Sequence, residues 1–280
     1  LHRVDRRQRQ MCIRDRKAVR SNMQSVFTDC PHREKLGWLE QDHLCGPGLL
    51  YNYDLTGFLP QTLQNIADAQ HANGAVPTTA PEYVVFEGPG MDAFAESPEW
   101  GCTFVVLPFM YYETYGDDSL IRKYYNGMRR YIDYMTTRAN DGIVSFGLGD
   151  WYDYGDFRAG FSRNTPVPLV ATAHYYMVVR YLVEAARMLD NRYDVAYYTH
   201  LGEEINKAFH REFYHKDTRQ YGTGSQCSNA LPLFLGMVPA EDKQAVLDNL
   251  VADIKRHGNR LTTGAVSYTH LRAHETRGNL

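Results

Sequence analysis

Residues 112–139, YETYGDDSLIRKYYNGMRRYIDYMTTRA, set the fold class. Leu120, Ile121, Tyr124, Tyr125, Met128, Tyr131, Ile132 and Met135 recur at spacings of three and four, the period of one helix face. Asp117, Asp118 and Ser119 stand where an N-cap and an acidic first turn belong. The same plan returns in 166–191, PVPLVATAHYYMVVRYLVEAARMLDN, and in 193–214, 228–236 and 240–259. Upstream, 17–27, 56–74 and 98–116 bring the expected helices to about eight. Strand-like alternation is nearly absent, so the chain reads as all-α. Long connections remain at 29–54, 74–99 and 141–166, and loops of that length in a compact domain tend to carry function.

The two ends read differently. Residues 1–16 hold six arginines without periodicity, and 265–280 break off the helical pattern. Both resemble translated adapter sequence and are set apart as non-native ends, leaving 17–264 as the domain. Those ends hold eight Lys or Arg and three Asp or Glu. The body therefore keeps 22 basic and 30 acidic side chains, a net −8 against −3 for the whole chain. An acidic body without a basic patch argues against nucleic acid and anionic membranes. No apolar run reaches the roughly 18 residues a membrane span needs. Beyond Cys12, in the first end, Cys30, Cys45, Cys102 and Cys227 are spaced too irregularly for a disulfide framework or a zinc pattern. Compartment is left open.

The chemistry concentrates in the loops. Residues 29–41, DCPHREKLGWLEQ, combine Asp29, Arg33, Glu34, Lys35 and Glu40 with Trp38. A solvated helix face explains the charges but not the tryptophan; a sugar site explains both. The other two tryptophans also stand beside carboxylates, Trp100 after Glu99 and Trp151 after Asp150. Aromatic faces are rigid apolar platforms, suited to the C–H faces of a pyranose. Glycoside hydrolysis needs two carboxyl groups, and Asp29, Glu34, Asp150, Asp153 and Asp156 are the candidates. Asp29 also suits a helix N-cap ahead of Pro31. Arg33 and Lys35 flank Glu34, although on a helix successive residues point about 100° apart. Metal and nucleotide chemistry lack motifs: there is no EF-hand loop, HExxH, GxSxG, P-loop or helix-opening GxGxxG. No metal or cofactor is expected.

The 29–41 stretch, followed in order by YNYDL (51–55), DAQHANGAVPTTAP (68–81), EWG (99–101), GLGDW (147–151) and LTTG (261–264), resembles the catalytic domain of bacterial α-L-rhamnosidases, glycoside hydrolase family 78. The resemblance implies an (α/α)6 barrel of six helical hairpins, here about eight of twelve helices. It also implies inverting hydrolysis of terminal α-L-rhamnosyl residues from oligosaccharides, polysaccharides or glycosides. By motif, Glu34 is implied as general acid, Asp29 and Arg33 as hydroxyl-binding residues, and Trp38, Trp100 and Trp151 as lining of the sugar subsite, supported by Asp150. Two departures stand out. Gln41 replaces an aspartate that commonly follows Trp-x-Gly, so Glu40 or Asp42 is expected to compensate. The family's general base is a glutamate beyond the Leu-Thr-Thr-Gly segment, where this chain leaves the pattern. The base is therefore expected to be absent from this chain, and the chain alone inactive. The alternatives are another (α/α)6 glycosidase, an unsaturated-glucuronyl hydrolase, or a non-catalytic carbohydrate-binding helical remnant.

Overall fold

The computed structural model describes residue 14, residues 16–158 and residues 160–264. The two ends set apart in the sequence, Cys12 among them, lie outside the described residues except for positions 14 and 16. In chain order, the helices up to the third loop are α1 (Glu40–Leu44), α2 (Gly46–Leu50), α3 (Phe58–Ala69), α4 (Asp92–Ala95), α5 (Pro98–Gly101), α6 (Thr103–Tyr115) and α7 (Ser119–Arg138). Then come α8 (Val167–Met188), α9 (Arg192–Phe213), an antiparallel hairpin of β1 (Tyr214–His215) and β2 (Gln220–Tyr221), α10 (Gln226–Phe234) and α11 (Lys243–Arg256).

The sequence of α7 accounts for its place. All eight apolar positions read from its spacing are buried, joined by Tyr134. At its start the Asp117 carboxylate accepts the Ser119 N–H at 2.9 Å, and Asp118 pairs with Arg122 at 2.7 Å, which favours the positive end of the helix dipole. By contrast, α6 is apolar all round. Phe104, Val105, Val106, Leu107, Pro108 and Phe109 are all buried, as expected of a helix with neighbours on every side. It packs against α1, α3, α7 and α8. Gly116 ends it in the left-handed region at φ 71°, its N–H bonding the Tyr112 carbonyl at 2.8 Å.

The 22-residue helices α8 and α9 are joined by only Leu189–Asn191 and pack against each other along their lengths. Short joins of this kind make antiparallel helical hairpins. The Asn191 side chain caps α9 by accepting the Asp194 N–H at 3.1 Å.

Two expectations change. The helix expected over 17–27 ends at residue 22. Asn22 turns the chain back: its carbonyl accepts the Thr28 N–H at 2.9 Å and its side chain takes the Thr28 hydroxyl at 2.8 Å. Such local side-chain bonds compete with helix continuation. The loop expected over 29–54 instead contains α1 and α2, whose short turns ride on α6.

Candidate active site

Three loops converge on one end of the helices. The first turns tightly at 31–34 and passes through Lys35 in the left-handed region at φ 59°. It closes with the Asp29 N–H on the Leu36 carbonyl at 3.1 Å. It then runs beside the second loop, with Leu39 N–H donating to Thr78 O at 2.9 Å and Ala80 N–H to Gly37 O at 3.0 Å. A Cβ at position 37 would lie 2.6 Å from the Ala80 carbonyl oxygen. Glycine is therefore what lets Trp38 cross the second loop at this depth.

The second loop folds back on itself, the Thr78 hydroxyl bonding the Phe94 carbonyl and its N–H bonding Ala95 O at 3.1 Å. The third loop is held from below. Leu148 N–H donates to the Ser97 hydroxyl at 2.8 Å, and that hydroxyl also binds Glu99. Asp150, fully buried, accepts the Gly264 N–H at 2.9 Å. A Cβ on Gly264 would meet the Trp151 carbonyl oxygen at 2.2 Å. Two motifs 114 residues apart thus form one joint behind Trp151.

Between the loops lies a cavity of about 340 Å³. From the first loop and α1 it is lined by Asp29, Arg33, Glu34, Trp38, Glu40 and Gln41; from the second by Phe94 and Trp100; from the third by Leu148, Trp151 and Tyr152. Of the seven positions to which the family resemblance assigns a role, six face it. The seventh, Asp150, sits beneath the wall and anchors it. Asp153 is also buried away from the cavity, its Oδ2 accepting the Arg163 N–H at 2.8 Å. Asp29 caps no helix, because the residues after it form a turn.

Charge in the cavity is unevenly paired. Arg33 holds Glu34 Oε1 at 3.1 Å; the turn at 31–34, unlike a helix, brings these sequence neighbours together. The Cys30 thiol lies 3.8 Å from the same oxygen. Carboxylate oxygens of Asp29 and Glu34 come within 4.8 Å of each other. Asp29 Oδ1 and Glu40 Oε2 are buried without hydrogen-bond partners. The Glu40 carboxyl is pushed up to about 7, first by burial and then by the charge of Asp29; the Trp100 indole N–H pulls the other way. Glu99, beneath the third loop, is likewise pushed up to about 7 by burial, against the donors Ser97, Leu148 and Gly149.

Of the two residues expected to stand in for an aspartate at position 41, Glu40 lines the cavity. Asp42 is buried elsewhere, its carboxyl raised well above the usual range by burial.

The aromatic lining extends beyond the tryptophans. Trp38 stacks on Phe86 at 5.3 Å between centroids, and Phe94 sits edge-on to Trp151 at 5.2 Å and to Phe161 at 5.5 Å. Phe94 carried no sequence signal that separates a pocket wall from ordinary packing. Tyr152 could have been suspected from its place beside Trp151 in GDWYDYGD.

The family model of the bacterial α-L-rhamnosidase six-hairpin glycosidase domain matches residues 10–276. The chain belongs to that family. Among its relatives, an α-L-rhamnosidase of Formosa agariphila is 29% identical over an alignment that covers 85% of this chain and 27% of the relative. One of Streptomyces avermitilis is 30% identical over 88% of this chain and 22% of its own length. Among solved structures, the α-L-rhamnosidase from Dictyoglumus thermophilum superposes with a TM-score of 0.81 at 30% identity, over 89% of this chain and 28% of that one. The Streptomyces avermitilis α-L-rhamnosidase complexed with L-rhamnose gives 0.75 at 27% identity, over 89% and 23%. The chain spans about a quarter of the length of these relatives. The paired helices α8 and α9 and the loop-bearing end thus belong to the six-hairpin helical fold of the rhamnosidase family.

Proposed function

We propose that residues 17–264 form part of the catalytic domain of an inverting glycosidase that removes terminal α-L-rhamnosyl residues from oligosaccharides, polysaccharides or other glycosides. The observation that carries this reading is the single cavity in which Asp29, Arg33 and Glu34 meet Trp38, Trp100 and Trp151. In it the tryptophans take the apolar faces of the sugar, and Asp29 and Arg33 take its hydroxyls. Glu34 is the general acid that protonates the leaving glycosidic oxygen. Arg33 occupies Glu34 Oε1 in the empty cavity, so a sugar hydroxyl that draws the guanidinium away frees that oxygen for the reaction.

An inverting reaction also needs a carboxylate base about 6.5–9.5 Å from the acid, with room for a water between them. Asp29, within 4.8 Å of Glu34, is too near for that part and is assigned to binding. The family membership and the neighbour solved with L-rhamnose support the sugar assignment.

Fluorescence of the three tryptophans, titrated with L-rhamnose and with D-glucose, tests the reading. A saturable change with L-rhamnose at concentrations where glucose has no effect is expected; equal or absent responses would sink it. The chain alone, without a general base, is expected to show negligible turnover of aryl α-L-rhamnosides; turnover that Glu34→Gln abolishes would overturn that expectation.

A further inference from the structure

The tight turn at 31–34 does more than pair Arg33 with Glu34. It folds the chain so that the Glu34 N–H donates to the Cys30 sulfur at 3.4 Å. That bond holds the thiol beside the Glu34 carboxylate, 3.8 Å from Oε1. Together with an Asp29 carboxylate oxygen, these atoms form a triangle whose members all lie within 4.8 Å of one another. Asp29 Oδ1 is buried and accepts no hydrogen bond. Cys30 is partly exposed and in no disulfide, so its sulfur can be reached from solvent. A tetrahedral zinc ion, with Zn–O near 2.1 Å and Zn–S near 2.3 Å, holds its ligand atoms roughly 3.4–3.6 Å apart. The sulfur and Oε1 are already close to that spacing, and a side-chain shift of about 1 Å closes the rest of the triangle. Positions 29, 30 and 34 match no ligand spacing that a sequence would announce; the turn brings them together.

We propose that Asp29, Cys30 and Glu34 form an inhibitory site for a thiophilic divalent cation of the zinc class. Binding forms one metal–sulfur and two metal–oxygen bonds, and the proton of the Cys30 thiol passes to solvent. Three negative donors around a dication leave one negative charge. Arg33, its side chain 75% exposed, is able to swing off Glu34 Oε1 and remain as the counter-charge. Mg²⁺ and Ca²⁺ take oxygen ligands, whereas a thiolate favours zinc and related ions. Three protein ligands leave a fourth position for water. The site itself stands on this geometry, and its consequence rests on the rhamnosidase reading. A Glu34 carboxylate held on a metal stays ionised and has no proton to give a leaving group, and Asp29 is no longer open to a sugar hydroxyl.

The test is optical titration of the untagged, reduced full chain with cobalt chloride. One equivalent is expected to produce an intense thiolate-to-metal absorption in the near ultraviolet, which excess zinc chloride removes. Cys30→Ser should abolish that band and weaken Zn²⁺ at least tenfold. Cys45→Ser, at an exposed thiol outside the triangle, should keep it. A band that survives Cys30→Ser, or no band in wild type, would overturn the site. If Cys30→Ser does not fold, alkylation of wild type by iodoacetamide decides. Zn²⁺ but not Mg²⁺ is expected to slow the reaction at Cys30 at least tenfold while Cys45 reacts as before; equal rates at Cys30 with and without Zn²⁺ would sink the proposal. Saturating Zn²⁺ is also expected to weaken L-rhamnose, read by tryptophan fluorescence, at least tenfold. Sugar affinity unchanged by Zn²⁺ would overturn the inhibition. No sugar response even without metal would instead remove the rhamnosidase reading, and the cobalt spectrum would still decide the site.

Discussion

Two carboxyl groups, Glu40 and Glu99, are buried against the usual preference for ionisation, and both are pushed up to about 7. Glu99 is fully buried beneath the third loop, with Oε1 lacking a hydrogen bond. A group whose value is higher in the folded chain binds more protons there than in the unfolded chain, so its stabilising effect is complete below about 4.5 and is lost as pH rises toward 7. The chain is therefore expected to melt at a higher temperature at pH 5 than at pH 8. For Glu99 the difference is on the order of 2–3 kcal/mol. Melting curves across that range check it, and Glu99→Gln should flatten the slope. A rising melting temperature between pH 5 and 8 would contradict the assignment. The sequence offered little warning of this. Glu99 was read only as the carboxylate beside Trp100, and burial of a charged side chain follows from where loops cross.

At the scale of elements, the second loop is tied to α7 by a polar latch. Glu96 accepts from Arg138 at 3.2 Å and binds Tyr134, while the Arg138 guanidinium lies 4.3 Å over the Phe146 ring. His71 bonds Glu82 at 2.9 Å at the other end of the same loop. Between these points the loop carries Phe86 and Phe94, the rings that stand against Trp38 and Trp151. Arg138→Ala is expected to release the loop, speeding chymotryptic cleavage near Tyr83 and weakening sugar binding several-fold with little change in global melting. An unchanged cleavage rate would show that the latch holds nothing.

The helices were legible because periodicity reports burial directly; every apolar position read from α7 is buried. The wall of the site was only partly so. Trp38 and Trp151 announce themselves by composition. Phe94, however, reaches the cavity through the Thr78 fold-back, and Glu40 through the first turn of a helix too short to show a period. The helix read over 17–27 was too long for the same kind of reason: Asn22 sits inside the helical pattern, yet its bonds to Thr28 act as a local stop.

For the whole molecule, exposed apolar side chains occur in several places, among them Tyr83, Val84 and Val85 of the second loop and Tyr193 and Tyr197 of α9. Near the third loop Tyr154 and Phe161 are exposed, and on α11 Leu247 and Val251 stand one turn apart and partly exposed, beside buried Val246 and Leu250. A net charge of −3 on 280 residues provides little repulsion between copies. The chain is expected to self-associate at moderate concentration, more so in high salt, where the remaining repulsion is screened. Sedimentation velocity should show this, with Leu247→Lys and Val251→Lys together shifting the distribution toward monomer. Equal association by that double variant would place the contact elsewhere.

The joint between Asp150 and Gly264 also sets an order of events. Thr262 adds to it, accepting from the Tyr154 N–H at 3.0 Å and the Asn164 side chain at 3.0 Å. While the polypeptide is being synthesised, the segment bearing Trp151 emerges well before Gly264, the N–H donor to Asp150 that lies 114 residues on. At the usual pace of translation that interval is roughly 6–20 s. The first two loops can meet during that time, since Gly37 and Ala80 are close in sequence. The joint behind Trp151 is then the last tie of the site to form on the ribosome, and a nascent chain halted before residue 264 lacks it.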